Sequence, residues 1–345
     1  HPSFGATVRL LYRWAAENMF SGHLPFEALE LLAAYVYLQP GDTMHTPHSS
    51  LSGFVRSLLV LAEYDWLNNP LVVDLQQDIR HEDLDSIQIA FDGIRAKAGA
   101  EVGATMHIVC SYDRDRRWVP SWTNDNPEPV IFREICAAAS ESARRLLNWI
   151  VSSQTSSEED SAPADESAPW ISVFQTSTVA TAADVLFRVC KPVSCGRLRG
   201  WDGLALFADH REGPSFARLQ LVRNLSKAEL SQQSLLITPH PLIARVANVK
   251  EQLNRVAIVF YNELAADLIA LAWRPDSRKD RPFSVLESRH RAVVVSEQST
   301  STKKRKKGKK DDAPESTGMT VFNSDELICE VVALFDGLVD DVAVL

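Results

Sequence analysis

No stretch of these 345 residues is long and apolar enough to cross a bilayer; none approaches the roughly 18 residues that a span requires. No secretory signal is visible either, and the chain opens at His1-Pro2 rather than Met, so a piece of a longer protein is expected. Cysteine is scarce and odd in number. Cys110, Cys136, Cys190, Cys195 and Cys329 sit mostly inside apolar runs. That pattern suits reduced, buried thiols of a nuclear or cytosolic protein and not a disulfide framework. Positive charge is in deficit: the formal charge is -9 and the pI about 5.5. Such a balance excludes a chain whose whole surface grips phosphate. The Gly-Ser dipeptide is absent altogether.

Apolar residues, by contrast, are plentiful. At 45% of the chain they suffice for two cores without disulfide or metal staples. The stretch Phe4–Leu38 reads as a helix pair. Val8, Leu11, Tyr12, Ala15 and Met19 share one face, opposite Arg9, Arg13 and Glu17, and Ser21-Gly22 supplies the stop. Pro25 opens the second helix, Glu27 and Glu30 occupy its first turns, and Pro40-Gly41 ends it. From Leu29 to Leu38 it is apolar nearly all round, so it belongs inside a bundle. A third helix is expected from Ser50 to Tyr64, with Leu51, Val55, Leu58, Leu59 and Ala62 inward. Next come a strand Leu71–Val73 and a helix Glu82–Lys97 with Leu84, Ile87, Phe91 and Ile94 inward. A strand Met106–Tyr112 and a helix from Pro127 or Pro129 to Val151 complete the first half.

Three groups invite a metal reading. Asp42, His45 and His48 lie in a Gly/Pro/Ser-rich loop with no fourth ligand and are expected to be solvent-exposed. Cys190 and Cys195 with His210 likewise lack a fourth ligand, and buried thiols are expected. The best enzyme lure is Asp113-Arg114-Asp115, since carboxylates two apart on a strand emerge on one face and could hold two metal ions. Polymerase-beta-type nucleotidyltransferases pair such acids with an upstream Gly-Ser that cradles a triphosphate. Gly103-Ala104 stands there instead, without the hydroxyl, and Arg114, Arg116 and Arg117 would compensate the two acids. A charged loop at a strand end is the expectation. Asp83-x-Asp85 reads as ordinary acids opening a helix.

Ser152–Ser167 is almost free of apolar residues and reads as a linker. Ser156 and Ser157 each have an acid three residues on, which makes them candidate sites for an acidophilic kinase. Beyond the linker, strands are expected at Val185–Val189, Phe216–Val222, Ala257–Phe260 and Leu268–Trp273. Helices are expected at Pro241–Leu253 and Ser324–Phe335. This is an α+β pattern: a mainly helical domain over residues 1–151, an acidic Ser-rich linker over 152–169, and a small-sheet α+β domain over 170–345. Residues 297–318 form a basic insertion expected to be disordered. There Lys303, Lys304, Arg305, Lys306, Lys307, Lys309 and Lys310 make a candidate nuclear address and RNA-phosphate contact. No cofactor is expected.

Four stretches in order resemble the Nrap family, the nucleolar RNA-associated proteins of the small-subunit processome. They are His1-Pro2-Ser3-Phe4-Gly5 with Val8–Trp14, Ser21-Gly22-His23 through Pro40, Ser52–Leu75, and His240–Pro275. Ala265-Ala266 departs from the glycines expected there, and alanine restricts the backbone. The resemblance implies a poly(A) polymerase/oligoadenylate-synthetase-like helical domain followed by an α+β domain, as in archaeal CCA-adding enzymes, with nucleotidyltransferase heads upstream. It also implies a non-catalytic scaffold in nucleus and nucleolus that holds assembly factors, a casein-kinase-containing module and pre-rRNA. The alternative is part of an active nucleotidyltransferase, adding nucleotides to RNA 3′ ends, whose catalytic head lies upstream. Deleting Lys303–Lys310 is expected to weaken nuclear retention or salt-sensitive RNA binding. Unchanged distribution and affinity would count against both roles of the block.

Overall fold

Helix α1 (Phe4–Glu17) buries Thr7, Val8, Leu11, Trp14, Ala15 and Ala16 on one side. It stops earlier than Ser21-Gly22 suggests. Met19 takes φ 64°, its N–H donates to Ala16 O, and the N–H of Phe20 donates to Ala15 O, each at 2.9 Å. These are the two bonds of a Schellman ending, made here without the usual glycine. Gly22, at φ 74°, shapes the turn that follows.

This computed structural model describes residues 1–39, 45–98, 104–124, 127–155, 173–174, 183–189, 241–264, 268–282, 291–294, 319–335 and 338–345. The expected strand Phe216–Val222, the basic insertion and Ala265-Ala266 lie outside them. The chain forms two compact units: His1–Ala183 with Phe260–Ala270, and Asp184–Val259 with Leu271–Leu345.

The first unit is mainly helical. Helix α2 (Phe26–Leu38) is buried on nearly every face, through Ala28, Leu29, Leu31, Leu32, Ala33, Ala34, Val36 and Tyr37. Its walls are α1, α3 (Ser50–Glu63) and a two-stranded parallel pair, β1 (Leu71–Val73) with β2 (Ile108–Cys110). Helix α3 is also packed by α1 and by α5 (Pro129–Thr155). Ser49 caps it, accepting from Ser52 N at 3.1 Å. Its buried face is centred on Phe54, Leu58 and Leu61, while Leu51, Leu59 and Ala62 are only half-buried. The heavier side chains Phe54 and Leu61 thus turn the helix slightly from the face expected. Helix α4 (His81–Ala98) buries Ile87 and Phe91, but Leu84 stays 41% exposed. Helix α5 runs to Thr155, so the first residues of the stretch read as linker are helical.

Gly53 is where three helices meet. A Cβ there would stand 2.5 Å from Thr7 Oγ1 and 2.7 Å from the Tyr37 hydroxyl. The same two side chains are joined at 2.9 Å, and Thr7 also donates to Ser50 O at 3.2 Å. A hydroxyl has one proton, so Tyr37 is the donor to Thr7, and its oxygen also lies 2.9 Å from Ser3 Oγ. Across the bundle, the indole N–H of buried Trp14 donates to Ser142 Oγ of α5 at 2.9 Å. Within this unit Tyr261 N donates to Met19 O at 3.2 Å. Asn262 donates to Glu17 at 2.9 Å and Tyr12 to Glu263 at 3.0 Å.

The rest of the chain supplies β3 (Val185–Val189), α6 (Pro241–Leu253), β4 (Ala257–Tyr261) and β5 (Leu268–Trp273). After them come β6 (Arg281–Pro282), β7 (Arg291–Val294), β8 (Met319–Phe322), α7 (Ser324–Phe335) and β9 (Val339–Val344). One sheet has the order β4-β5-β3-β9 and a second β6-β8-β7. Strand β9 runs antiparallel to β3, pairing Val185 with Val344 and Phe187 with Val342. Helices α6 and α7 pack together, and Val185, Phe187, Val246, Leu327, Val331 and Phe335 are core residues. Val332 is 38% exposed. Asp184 ties strand ends together, accepting from Trp273 N at 2.7 Å and pairing with Arg278, while its carbonyl accepts from Leu345 N at 3.0 Å. Strands β6 to β9 were not expected from the sequence. A proline, the flanks of the insertion and the Asp340-Asp341 pair hid them.

The two helical glycines should respond oppositely to alanine. Gly53→Ala overpacks the crossing and should cost about 1–3 kcal/mol. Among the described residues nothing lies within 4 Å of where a Cβ on Gly93 of α4 would stand, so Gly93→Ala should stabilise by up to about 1 kcal/mol. Denaturant melts of the two variants check both signs.

Candidate functional site at the Asp113 loop

Strands β1 and β2 pair in parallel, with Val73 opposite Cys110, and the acids of interest follow at their C-terminal ends. The strand expected to reach Tyr112 ends at Cys110, and Ser111–Arg116 forms a 3₁₀ helix instead. With three residues per turn, every third side chain shares a side. Asp113 therefore points inward while Asp115 stands exposed. The spacing that would align the two carboxylates on a strand separates them here.

Asp113 is fully buried and every one of its bonds is local. One carboxylate oxygen accepts from Cys110 N at 3.0 Å. The other accepts from Ser121 N at 3.0 Å and from the Ser121 hydroxyl. Its carbonyl accepts from Trp118 N at 2.9 Å. Two consecutive residues, Arg117 at φ 56° and Trp118 at φ 63°, are left-handed, a conformation costly for side chains of this size. The bonds to Asp113 hold that reversal. A buried carboxylate is tolerated because charge-assisted bonds from fixed N–H groups replace its water.

The arginines do other work than expected. Arg114 reaches back to Asp78 at 3.0 Å and Asp83 at 3.2 Å and lies over the Trp118 ring, 5.6 Å from its centroid. Arg116 donates to Ser121 Oγ at 2.9 Å. Compensation of Asp113 by Arg114, Arg116 and Arg117 is thus replaced by backbone N–H groups. Asp83 also accepts from Arg80 N at 2.9 Å, closing the first turn of α4, and Asp85 is exposed. Asp74 caps the preceding turn, accepting from Asp78 N and Ile79 N at 3.1 Å each.

Beneath the loop lies His107, 4% exposed and missed by sequence reasoning. Its ring meets Phe91 edge-on at 4.9 Å, and its Nε2 has no hydrogen-bond partner among the described residues. Burial, partly offset by Asp113, pushes its pKa down from 6.5 to about 4. Burial likewise raises the Cys110 thiol to about 11, with Asp113 adding to the effect. Neither group is poised for proton transfer near neutrality.

Of the other candidates, His45 and His48 are exposed, and His45 uses its carbonyl to accept from Arg56. Among the described residues no cluster of His, Cys, Asp and Glu is arranged to hold a metal ion. Cys110 is buried, Cys136 half-buried, and Cys329, expected inside, is exposed. Asp42, Cys190, Cys195, His210, Ser156, Ser157 and Lys303–Lys310 lie outside the described residues.

Residues 1–163 match the family profile described as the Nrap protein PAP/OAS1-like domain 5, and residues 205–342 match Nrap protein domain 6. Nucleolar protein 6 of Homo sapiens is 25% identical over 298 residues, which are 85% of this chain and 23% of that protein. Nucleolar protein 6 of Xenopus laevis is 24% identical over 296 residues, again 85% of this chain and 23% of its own length. U3 small nucleolar RNA-associated protein 22 of Schizosaccharomyces pombe is 28% identical over 151 residues, 43% of this chain and 13% of that protein. The chain therefore spans less than a quarter of the length of these relatives.

The neutral, buried His107 makes stability depend on pH. Below pH 6.5 the unfolded chain takes up a proton that the folded chain refuses until about pH 4. Stability is therefore complete above pH 6.5 and falls as pH drops from there to about 4. Between pH 7.5 and 5 the parent should lose about 2 kcal/mol more than His107→Gln. Equal losses in denaturant melts would show that this group is not the cause.

Proposed function

The chain belongs to the Nrap family, with stretches matching its domains 5 and 6, and from that premise we propose that it serves ribosome biogenesis as a non-catalytic scaffold in the nucleolus. The names of its relatives, Nucleolar protein 6 and U3 small nucleolar RNA-associated protein 22, support the setting. In this role the two domains hold small-subunit processome proteins, a casein-kinase-containing module among them, while Lys303–Lys310 touches pre-rRNA phosphates. Ser156 and Ser157 are the residues that an acidophilic kinase would modify.

One observation carries the non-catalytic part. Asp113 commits both carboxylate oxygens to Cys110 and Ser121 of its own loop, while Asp115 is exposed. A carboxylate so engaged must break about three charge-assisted bonds before it could take a metal ion. Asp113 supports loop architecture, and the buried α1–α2–α3 crossing supports a rigid platform for partners.

Full-length protein supplied with Mg²⁺, nucleoside triphosphates and RNA is expected to transfer no nucleotide. Asp113→Asn should leave that result unchanged yet destabilise the first unit by about 1–3 kcal/mol. Transfer by the parent that disappears in a folded Asp113→Asn protein would favour an active nucleotidyltransferase. The assembly role is checked separately: full-length protein should co-sediment with pre-ribosomal particles.

A further inference from the structure

Two hollows adjoin at the C-terminal end of α3. One, of about 310 Å³, lies between α2 and α3 and is lined by Tyr35, Val36, Arg56, Leu59, Val60 and Glu63. The other, of about 260 Å³, lies on the far side of the α3 terminus, among Trp66, Leu67, Pro129, Phe132, Arg133 and Cys136. Tyr64 lines both. Its hydroxyl donates to Pro70 O at 2.8 Å, and its ring meets Trp66 edge-on at 4.9 Å. Burial, with Tyr35 and Asp65 adding to it, raises its pKa to about 12, so the phenol stays protonated and the bond persists. Tyr64 is a fixed ridge between two depressions.

The size of the hollows narrows what they take. Small-molecule sites run from about 300 to 1,000 Å³, and each hollow sits at or below the lower bound. Neither encloses a nucleotide or a drug-sized cofactor, but each accommodates a single apolar side chain. Walls of Leu59, Val60 and Val36 on one side and Leu67, Pro129 and Phe132 on the other are apolar. The thiol of Cys136 is raised by burial to about 12 and adds a neutral contact.

Charge sets a direction across the ridge. Arg56 is committed to the His45 carbonyl, and Asp65 to Asn68 and Asn69 at 3.0 to 3.3 Å. That leaves Glu63 beside the first hollow and Arg133 beside the second. Both are exposed, and neither has a hydrogen-bond or ion-pair partner among the described residues. An acid beside one hollow and a base beside the other complement a segment with the reverse polarity.

We propose that this surface docks a linear segment of a partner protein that carries two apolar anchors, one on each side of Tyr64. A basic residue of that segment meets Glu63 and an acidic one meets Arg133. Side chains seated in preformed pockets supply most of such an affinity, and the rim charges fix the orientation. The inference deepens the assembly reading, because it names where a partner of the scaffold would bind.

The test selects linear peptides on the full chain from a random display library. Enriched peptides should share two apolar positions with a basic flank at one end and an acidic flank at the other. Glu63→Lys and Arg133→Glu, both at exposed positions, should each weaken a selected peptide about three- to fivefold. Swapping the charge at the matching end of the peptide should restore the binding. Leu59→Arg, which drives a cation into the first hollow, should weaken it tenfold or more. No shared pattern, or binding indifferent to all three variants of unchanged melting temperature, overturns the proposal. So does capture of oligouridylate in place of peptide with the same sensitivity. Failure of full-length protein to co-sediment with pre-ribosomal particles would instead overturn the assembly reading, whatever the peptides do.

Discussion

A helix that is apolar on every face must be enclosed on every face, and α2 imposes that requirement on everything around it. Helices α1 and α3 and the β1–β2 pair exist as its walls. Each buried Leu or Val of such a helix contributes about 1.5–3 kcal/mol only if its wall is in place. The enclosure is tightest at Gly53, where the absent side chain lets α3 approach α1 and α2 closely enough for Thr7 and Tyr37 to bond. The buried hydroxyls there are satisfied by one another and by Ser50 O, so the close approach leaves no polar group stranded.

Polar groups elsewhere in this unit serve the same end. Asp113 holds a left-handed reversal together, Asp74 and Asp83 close the turns that deliver α4, and Arg114 joins Asp83 to Asp78. A loop that uses Asp113 to fix itself presents a rigid surface. Rigidity of this kind is what a docking platform requires, because a partner then does not bear the cost of ordering it. The fixed Tyr64 ridge at the end of α3 is of the same character.

In the second unit, Asp184 plays the organising part, drawing the start of β3 to β5 and to the chain end at Leu345. Strand β9 shows how a sheet admits a pair of acids. Asp340 and Asp341 are exposed, and Asp341 lies across from Arg188 at 3.7 Å, so the strand keeps its charges in water. The basic block around Lys303 lies between β7 and β8 in the sequence, which pair in register with Val293 opposite Thr320.

Periodicity alone determined the helices, because burying one face is a local demand written every three or four residues. Helix α6 buries Leu242, Val246, Val249 and Leu253 as their spacing requires, and strands Leu71–Val73, Val185–Val189 and Leu268–Trp273 fall where branched residues cluster. The four family-like stretches were equally legible. The direction of Asp113 was not, since it hangs on whether the backbone after Cys110 stays extended or tightens to three residues per turn. Ser121 and Trp118 decide that from a distance. Nor could spacing reveal that Trp14 finds Ser142, that His107 is enclosed beside Phe91, or that Leu84 stays outside. Pairings between residues far apart in the chain have no local signature, and only the packed structure supplies the partner.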